Sequence, residues 1–230
     1  MQQLPLGVRL RDRALFASYF PGPNSEALAH LEAVAGGTRA GTTWLCGAAG
    51  TGKTHLLQAA CARAGESAHA GYFPLGDNVR LGVAALEGWE RLDCVCLDDL
   101  DAIVGRQDWE LQVFALYREA EERGARLVVA ATAPPALLEW SVRDLGSRFA
   151  AGTILQLCEL GEAGQEEALR WRARARGLEL PHETVRYLQR RFPRDMHTLY
   201  RLLDTLDDAA LAAQRRLTVP FIRSVLADWR

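Results

Sequence analysis

Gly47-Ala48-Ala49-Gly50-Thr51-Gly52-Lys53-Thr54 decides the fold of this 230-residue chain. The stretch fits G-x-x-x-x-G-K-[ST], the phosphate-binding P-loop. Its neighbours agree with it. Thr42-Thr43-Trp44-Leu45-Cys46 before it is β-branched and apolar, as a buried strand should be. His55 to Arg63 after it is a good helix former, stopped by Gly65. A strand, a glycine loop and a helix together present backbone N–H groups at a helix N-terminus, an anion site by geometry and by dipole. Gly47, Gly50 and Gly52 let the backbone wrap around phosphate oxygens, with Thr51 and His55 completing the loop and first turn. Lys53 is the only lysine in the chain; apart from histidine, every other basic side chain is Arg. Lys has been kept at the one position where a compact ammonium fits beside β/γ-phosphates. The Thr54 hydroxyl is the expected Mg2+ ligand.

Outward from the loop, the next informative run is Asp93-Cys94-Val95-Cys96-Leu97-Asp98-Asp99. Four apolar residues bracketed by acids predict a strand buried on both faces with carboxylates at its C-terminal end. Ligands of α/β sheets bind at that end. Asp98 and Asp99 therefore fit a Walker B element. Asp98 would hold Mg2+, mostly through water, and Asp99 would orient the attacking water.

Other segments complete an alternating pattern. Asn24 or Ser25 caps a helix over Glu26 to Val34, ended by Gly36-Gly37. Ala70 to Leu75 predicts a second strand, and Leu81 to Leu86 a helix. Gln107 to Arg123 is an amphipathic helix whose core face is Trp109, Val113, Phe114 and Tyr117. Arg126 to Thr132 and Thr153 to Leu157 predict two more strands, with a segment around Asp144 to Phe149 between them. The sum is an α/β fold: an αβα core with a five-stranded, mostly parallel sheet and helices on both faces. After about residue 160 the strands stop, and Glu162 to Arg176, Pro181 to Phe192, Arg194 to Ala213 and Val219 to Trp229 predict a four-helix lid. Thr218 is expected to cap the last helix, with Pro220 in its first turn. The division is 1–12 as an N-terminal peptide, 13–160 as the nucleotide-binding core and 161–230 as the lid.

Bulk properties exclude several classes. A net charge of -2 gives no global argument for nucleic-acid binding. The lid segment carries 13 Arg against 10 Asp plus Glu, a bias usual for a solvated face. No run of 18 apolar residues exists, and the N-terminus lacks a signal-peptide pattern, so a cytoplasmic location is expected. Cys46, Cys61, Cys94, Cys96 and Cys158 show no zinc-type spacing and read as reduced thiols, most of them small and buried. Two features stay open on composition alone. Phe16, Tyr19 and Phe20 can wall an adenine pocket or serve as ordinary core. Gln3-Leu4-Pro5-Leu6 can dock into a partner's groove or be an untidy terminus.

A P-loop αβα core followed by a small helical lid resembles the AAA+ ATPases. Within them, Arg148 in Asp-Leu-Gly-Ser-Arg-Phe-Ala-Ala-Gly is similar to the arginine finger of the DnaA initiator group. Arg194 in Pro-Arg-Asp-Met-His-Thr-Leu is similar to that group's sensor II arginine. Gln3, Leu4 and Leu6 resemble a clamp-binding motif, and Leu217 to Phe221 is similar as well. Together these resemble the Hda family of DnaA-homologous regulatory inactivators. That resemblance implies a regulator of chromosome replication initiation, bound to ADP or ATP with Mg2+ and forming a homo-oligomer. Its partners would be the DNA polymerase III sliding clamp (beta subunit) and the DnaA initiator, with DNA met only indirectly. Arg148 would act in trans on DnaA-bound ATP. Thr132 takes the place of the sensor I Asn or Asp, and Asp99 that of the usual second Walker B Glu. Both residues are shorter, so slow hydrolysis by the chain itself is expected. The competing readings are an initiator or helicase-loader ATPase that handles DNA directly, and a small-molecule P-loop kinase.

Overall fold

The structure, a computed structural model, describes residues 14–193, 195–213 and 217–227. Five strands form one sheet: β1 (Gly41–Cys46), β2 (Ala70–Pro74), β3 (Cys94–Asp98), β4 (Arg126–Ala131) and β5 (Thr153–Gln156). Their order is β2-β3-β4-β1-β5, and every pairing is parallel. The β-α-β crossovers use α2 (Lys53–Ala64), the single turn α3 (Leu75–Asn78), α4 (Gln107–Arg123) and α5 (Arg143–Ala151), with α1 (Ser25–Ala35) preceding β1. β3 and β4 are buried along their whole lengths, which explains their continuous apolar runs.

The chain divides into two compact units. The first holds Glu26–Gly47 and Lys53–Gln156 with the segment ending at Phe16. Its core is built on Trp44, Trp109 and Phe149 with Leu97, Leu127 and Val129. Trp109, Val113 and Tyr117 of α4 face this core, and Phe114 is partly buried against it.

Two buried charges fasten the unit. Arg126, 8% exposed, donates through Nη1 to the carbonyls of Val34 and Ala35 at 3.0 Å and through Nε to that of Asp93 at 3.2 Å. A guanidinium at the C-terminus of α1 answers both the orphan carbonyls and the helix dipole there. Glu110, fully buried, accepts from the N–H of Gly105 and from that of Val142, each at 2.6 Å. Val142 immediately precedes α5, so α4 holds the entry to α5 through one carboxylate.

Three local expectations are corrected. Leu81 to Leu86 is not one helix but parts of two 3-10 turns, Val79–Leu81 and Val83–Leu86, separated by Gly82 at φ 77°. A positive φ there breaks any continuous i to i+4 ladder. Of the two residues expected to cap α1, Asn24 has its amide engaged with Tyr19 and Cys158 instead, and Ser25 is already the first residue of the helix. Thr218 stands at the N-cap of α9 (Val219–Val225), yet its side chain makes no capping bond. Pro220 occupies the second helical position and offers no N–H to receive one.

The second unit comprises Ala17–Ser25, Ala48–Gly52 and the chain from Leu157 onward. It contains α6 (Glu162–Ala175), α7 (His182–Arg191), α8 (Met196–Ala213) and α9. Leu169, Leu188, Leu199, Leu203 and Ile222 fill its centre. Arg176 pairs with Asp204 at 2.7 Å, tying α6 to α8. Asp195 caps α8, its carboxylate accepting the Thr198 N–H at 2.8 Å. The tip of the phosphate loop, residues 48–52, belongs to this helical unit.

Candidate nucleotide site

The P-loop joins the end of β1 to α2. Gly50 and Gly52 adopt φ 81° and 95°, which any other residue would resist. A Cβ at Gly50 would meet nothing, so conformation alone demands glycine there. At Gly52 a Cβ would also fall 2.7 Å from the Tyr19 ring. The Lys53 ammonium donates to the Gly47 carbonyl at 2.7 Å, folding the side chain back over the loop. Thr51 Oγ1 donates to the Ala48 carbonyl at 2.9 Å, closing the loop on itself. Thr54 follows in the first turn of α2. The His55 ring lies 3.0 Å from the Leu15 carbonyl through Nε2. A carbonyl can only accept, so Nε2 carries the proton. The ring is thus directed at residue 15.

Sheet register brings the acidic element to the same edge. Leu45 pairs with Ala130 and Val129 with Leu97, so Asp98 ends β3 at the level of Leu45 and Ala130, and Gly47 and Thr132 follow two residues further along their own strands. Asp98 is 1% exposed. Its Oδ2 accepts from the Tyr72 hydroxyl at 2.8 Å and its Oδ1 from the Asp99 N–H at 3.0 Å. Burial, then the Asp98 charge, pushes the Tyr72 phenol far up, so it remains a donor at any ordinary pH. Each carboxylate oxygen keeps a second lone-pair direction, which suits a hydrated cation. Asp99 follows at φ 55°. Burial raises its pKa first, then the charges of Asp98 and Asp77, with Lys53 partly opposing.

Thr132 is held by Asp101. The Asp101 carboxylate accepts the Thr132 N–H at 2.8 Å and its hydroxyl at 2.6 Å. A hydroxyl has one proton, so toward any other group Thr132 acts as an acceptor. Neither Asp101 nor Tyr72 emerges from sequence reasoning. The acid at the third place after Asp98 was a visible signal; its partner, 31 residues on, was not.

Arg148 lies on α5, about half exposed, with Nη1 3.4 Å from Glu121 Oε2. Within the first unit Gly47, Lys53, Asp98, Asp99 and Thr132 thus lie at or just past the strand ends, while Arg148 occupies the surface of α5. Arg194, Gln3, Leu4 and Leu6 lie outside the described residues. Of the aromatics, Tyr19 is buried and bonded to the phosphate loop, and Phe20 meets Trp171 edge-on at 6.2 Å. All five cysteines are free thiols; Cys46, Cys94 and Cys96 are buried, Cys61 half-buried and Cys158 exposed. Among the described residues no cluster of three His, Cys, Asp or Glu side chains is arranged to hold a metal by itself. A Mg2+ here would share its ligands with phosphate. No helix of the described residues is long and apolar enough to cross a membrane.

Known proteins with this architecture narrow the reading. Residues 162–226 match the family model for the Hda lid domain. Domain III of the replication initiation protein DnaA from Thermotoga maritima superposes with a TM-score of 0.75 at 20% identity, over 95% of this chain and 98% of that one. AMPPCP-bound DnaA from Aquifex aeolicus gives 0.72 at 22% identity, over 90% and 70%. The RuvB Holliday junction branch migration motor of Thermotoga maritima gives 0.65 at 16% identity, over 92% and 72%. At such identities the superpositions speak for the fold, and the lid match speaks for the C-terminal helices. The chain thus shares the fold of DnaA domain III, and its C-terminal helices, residues 162–226, match a lid of the Hda type.

Proposed function

We propose that this chain is a nucleotide-bound regulator of chromosome replication initiation that stimulates ATP hydrolysis by the initiator DnaA. The observation that carries this reading is the match of residues 162–226 to the Hda lid, set behind a P-loop core. The adenine nucleotide would be held by the N–H groups of residues 50–55 and the Lys53 ammonium. Arg194 of the lid would reach its phosphates. Thr54 and Asp98 would hold Mg2+, which neutralises phosphate charge when bound. AMPPCP occupies a related DnaA, which supports an adenine nucleotide as the ligand.

Arg148 is exposed on α5, where a neighbouring ATPase can reach it. A guanidinium offered to that neighbour's γ-phosphate stabilises the charge developing there, an effect of roughly a thousandfold or more in rate. Gln3, Leu4 and Leu6 would anchor the chain to the sliding clamp, bringing Arg148 to DnaA near loaded DNA. Assembly through such ATPase-to-ATPase contacts also suits a homo-oligomer. The chain's own hydrolysis is slow on this reading, because Thr132 spends its proton on Asp101 and Asp99 is short and burdened by nearby carboxylates. Turnover at the rate of a motor ATPase would overturn that part.

The deciding assay is ATP hydrolysis by DnaA with DNA-loaded clamp, with this chain or its Arg148→Ala variant added. Stimulation by the parent and its collapse with the variant is the expected result; no stimulation by either sinks the proposal. One observation favours a second reading: a similar DnaA is bound to single-stranded DNA as well as AMPPCP. Direct, steeply salt-dependent DNA binding by this chain would move it to the DNA-handling ATPases.

A further inference from the structure

The segment before α1 connects two places far apart in sequence. Tyr19 and Asn24 are buried, and Gly22–Asn24 form a 3-10 turn. Asn24 clasps the backbone of Cys158 at both of its polar groups. Its Nδ2 donates to the Cys158 carbonyl at 3.0 Å, and its Oδ1 accepts the Cys158 N–H at 2.7 Å. The same Nδ2 lies 3.3 Å from the Tyr19 hydroxyl. That hydroxyl donates to the Thr51 carbonyl at 3.2 Å, within the phosphate loop. Burial raises the Tyr19 pKa, which keeps the hydroxyl a donor. Packing follows the same line. The Tyr19 ring fills the space a Cβ at Gly52 would need, and a Cβ at Gly22 would fall 2.9 Å from Leu160 Cδ2. Cys158 and Leu160 lie in the short link between β5 and α6.

The peptide joining Thr51 to Gly52 gives this chain of contacts a direction. Its carbonyl is the Tyr19 acceptor, and its N–H belongs to Gly52 of the phosphate motif. The two are rigidly coplanar, so turning the N–H toward a phosphate turns the carbonyl against Tyr19. We propose that Tyr19 and Asn24 are positioning residues that transmit the state of the phosphate loop to the start of the lid, through the Thr51 carbonyl at one end and the Cys158 backbone at the other. This rests on the nucleotide reading above, and it makes the lid responsive to whether the loop holds phosphate.

Hydrogen exchange of the full chain, with and without ADP, tests it. The parent should show ADP-dependent protection in peptides covering residues 48–54 and in peptides covering residues 157–175. Tyr19→Phe keeps the ring against Gly52 and removes only the hydroxyl. It should retain protection at 48–54 and lose about two- to tenfold of the ADP-dependent protection at 157–175, the span set by one hydrogen bond. Asn24→Ala should do the same, and the double variant should add little to Asn24→Ala. A merely structural role would lower protection at 157–175 equally with and without ADP, and would overturn the proposal. So would ADP-dependent protection of 157–175 that survives in both variants, or that is absent in the parent while 48–54 is protected. No ADP effect at 48–54 in the parent overturns the nucleotide reading itself.

Discussion

Asp99 carries opposing demands in one residue. Its φ of 55° lies where an L side chain is strained, and its exposed carboxylate feels the charges of Asp98 and Asp77. The folded-state pKa is raised, so the charged form is disfavoured on folding. Below the unfolded pKa there is no penalty; as pH rises through the folded value, stability is lost. Asp99→Asn removes the charge and suits the left-handed conformation better. It should raise stability modestly at pH 7 to 8, since water screens an exposed carboxylate, with the advantage shrinking below the usual carboxylate range. Thermal melts of both proteins across pH check this, and an advantage that grows on acidification would refute it. The acids at 98 and 99 were legible in sequence because an apolar run ends in them. The Asp101–Thr132 bond was not, since nothing local to either residue names the other.

At the scale of elements, two buried charges do what periodicity cannot. The apolar spacing over Gln107 to Arg123 predicts α4 with the same ends as observed, yet it gives no reason for a buried acid at Glu110. The reason lies in two distant N–H groups, those of Gly105 and Val142, which no intrahelical carbonyl serves. Glu110→Ala would strand both and open a hole beside α5. It should cost about 2–4 kcal/mol in denaturant unfolding, and a loss under 1 kcal/mol would show that water replaces the carboxylate. Because α5 carries Arg148, the same variant should weaken the proposed stimulation of DnaA more than the proposed nucleotide binding.

Across the whole molecule, two separate apolar cores are present, one on Trp44, Trp109 and Phe149 and the other on Leu169, Leu188 and Leu199. A ligand that binds only the folded chain stabilises it by mass action. ADP with Mg2+ at a hundred times its Kd should add about 2.7 kcal/mol. Lys53→Ala should abolish that increment while leaving the ligand-free melt nearly unchanged, since Lys53 is partly solvated and touches the Gly47 carbonyl. An increment that persists in the variant would place the ligand elsewhere.

By itself the sequence determined the five strands, the longer helices and the glycine pattern of the loop between β1 and α2, but not the 3-10 turns over 79–86. Glycine spacing, apolar runs and helical periodicity are local, and local chain geometry responds to them directly. Only the tertiary structure decided that β4 lies between β1 and β3, that Asp101 engages Thr132, and that Asn24 is a clasp for Cys158 and not a helix cap. Those choices depend on which polar groups meet across tens to more than a hundred residues. Every buried N–H or carbonyl must find a partner, and the partner is set by packing of the whole sheet and lid.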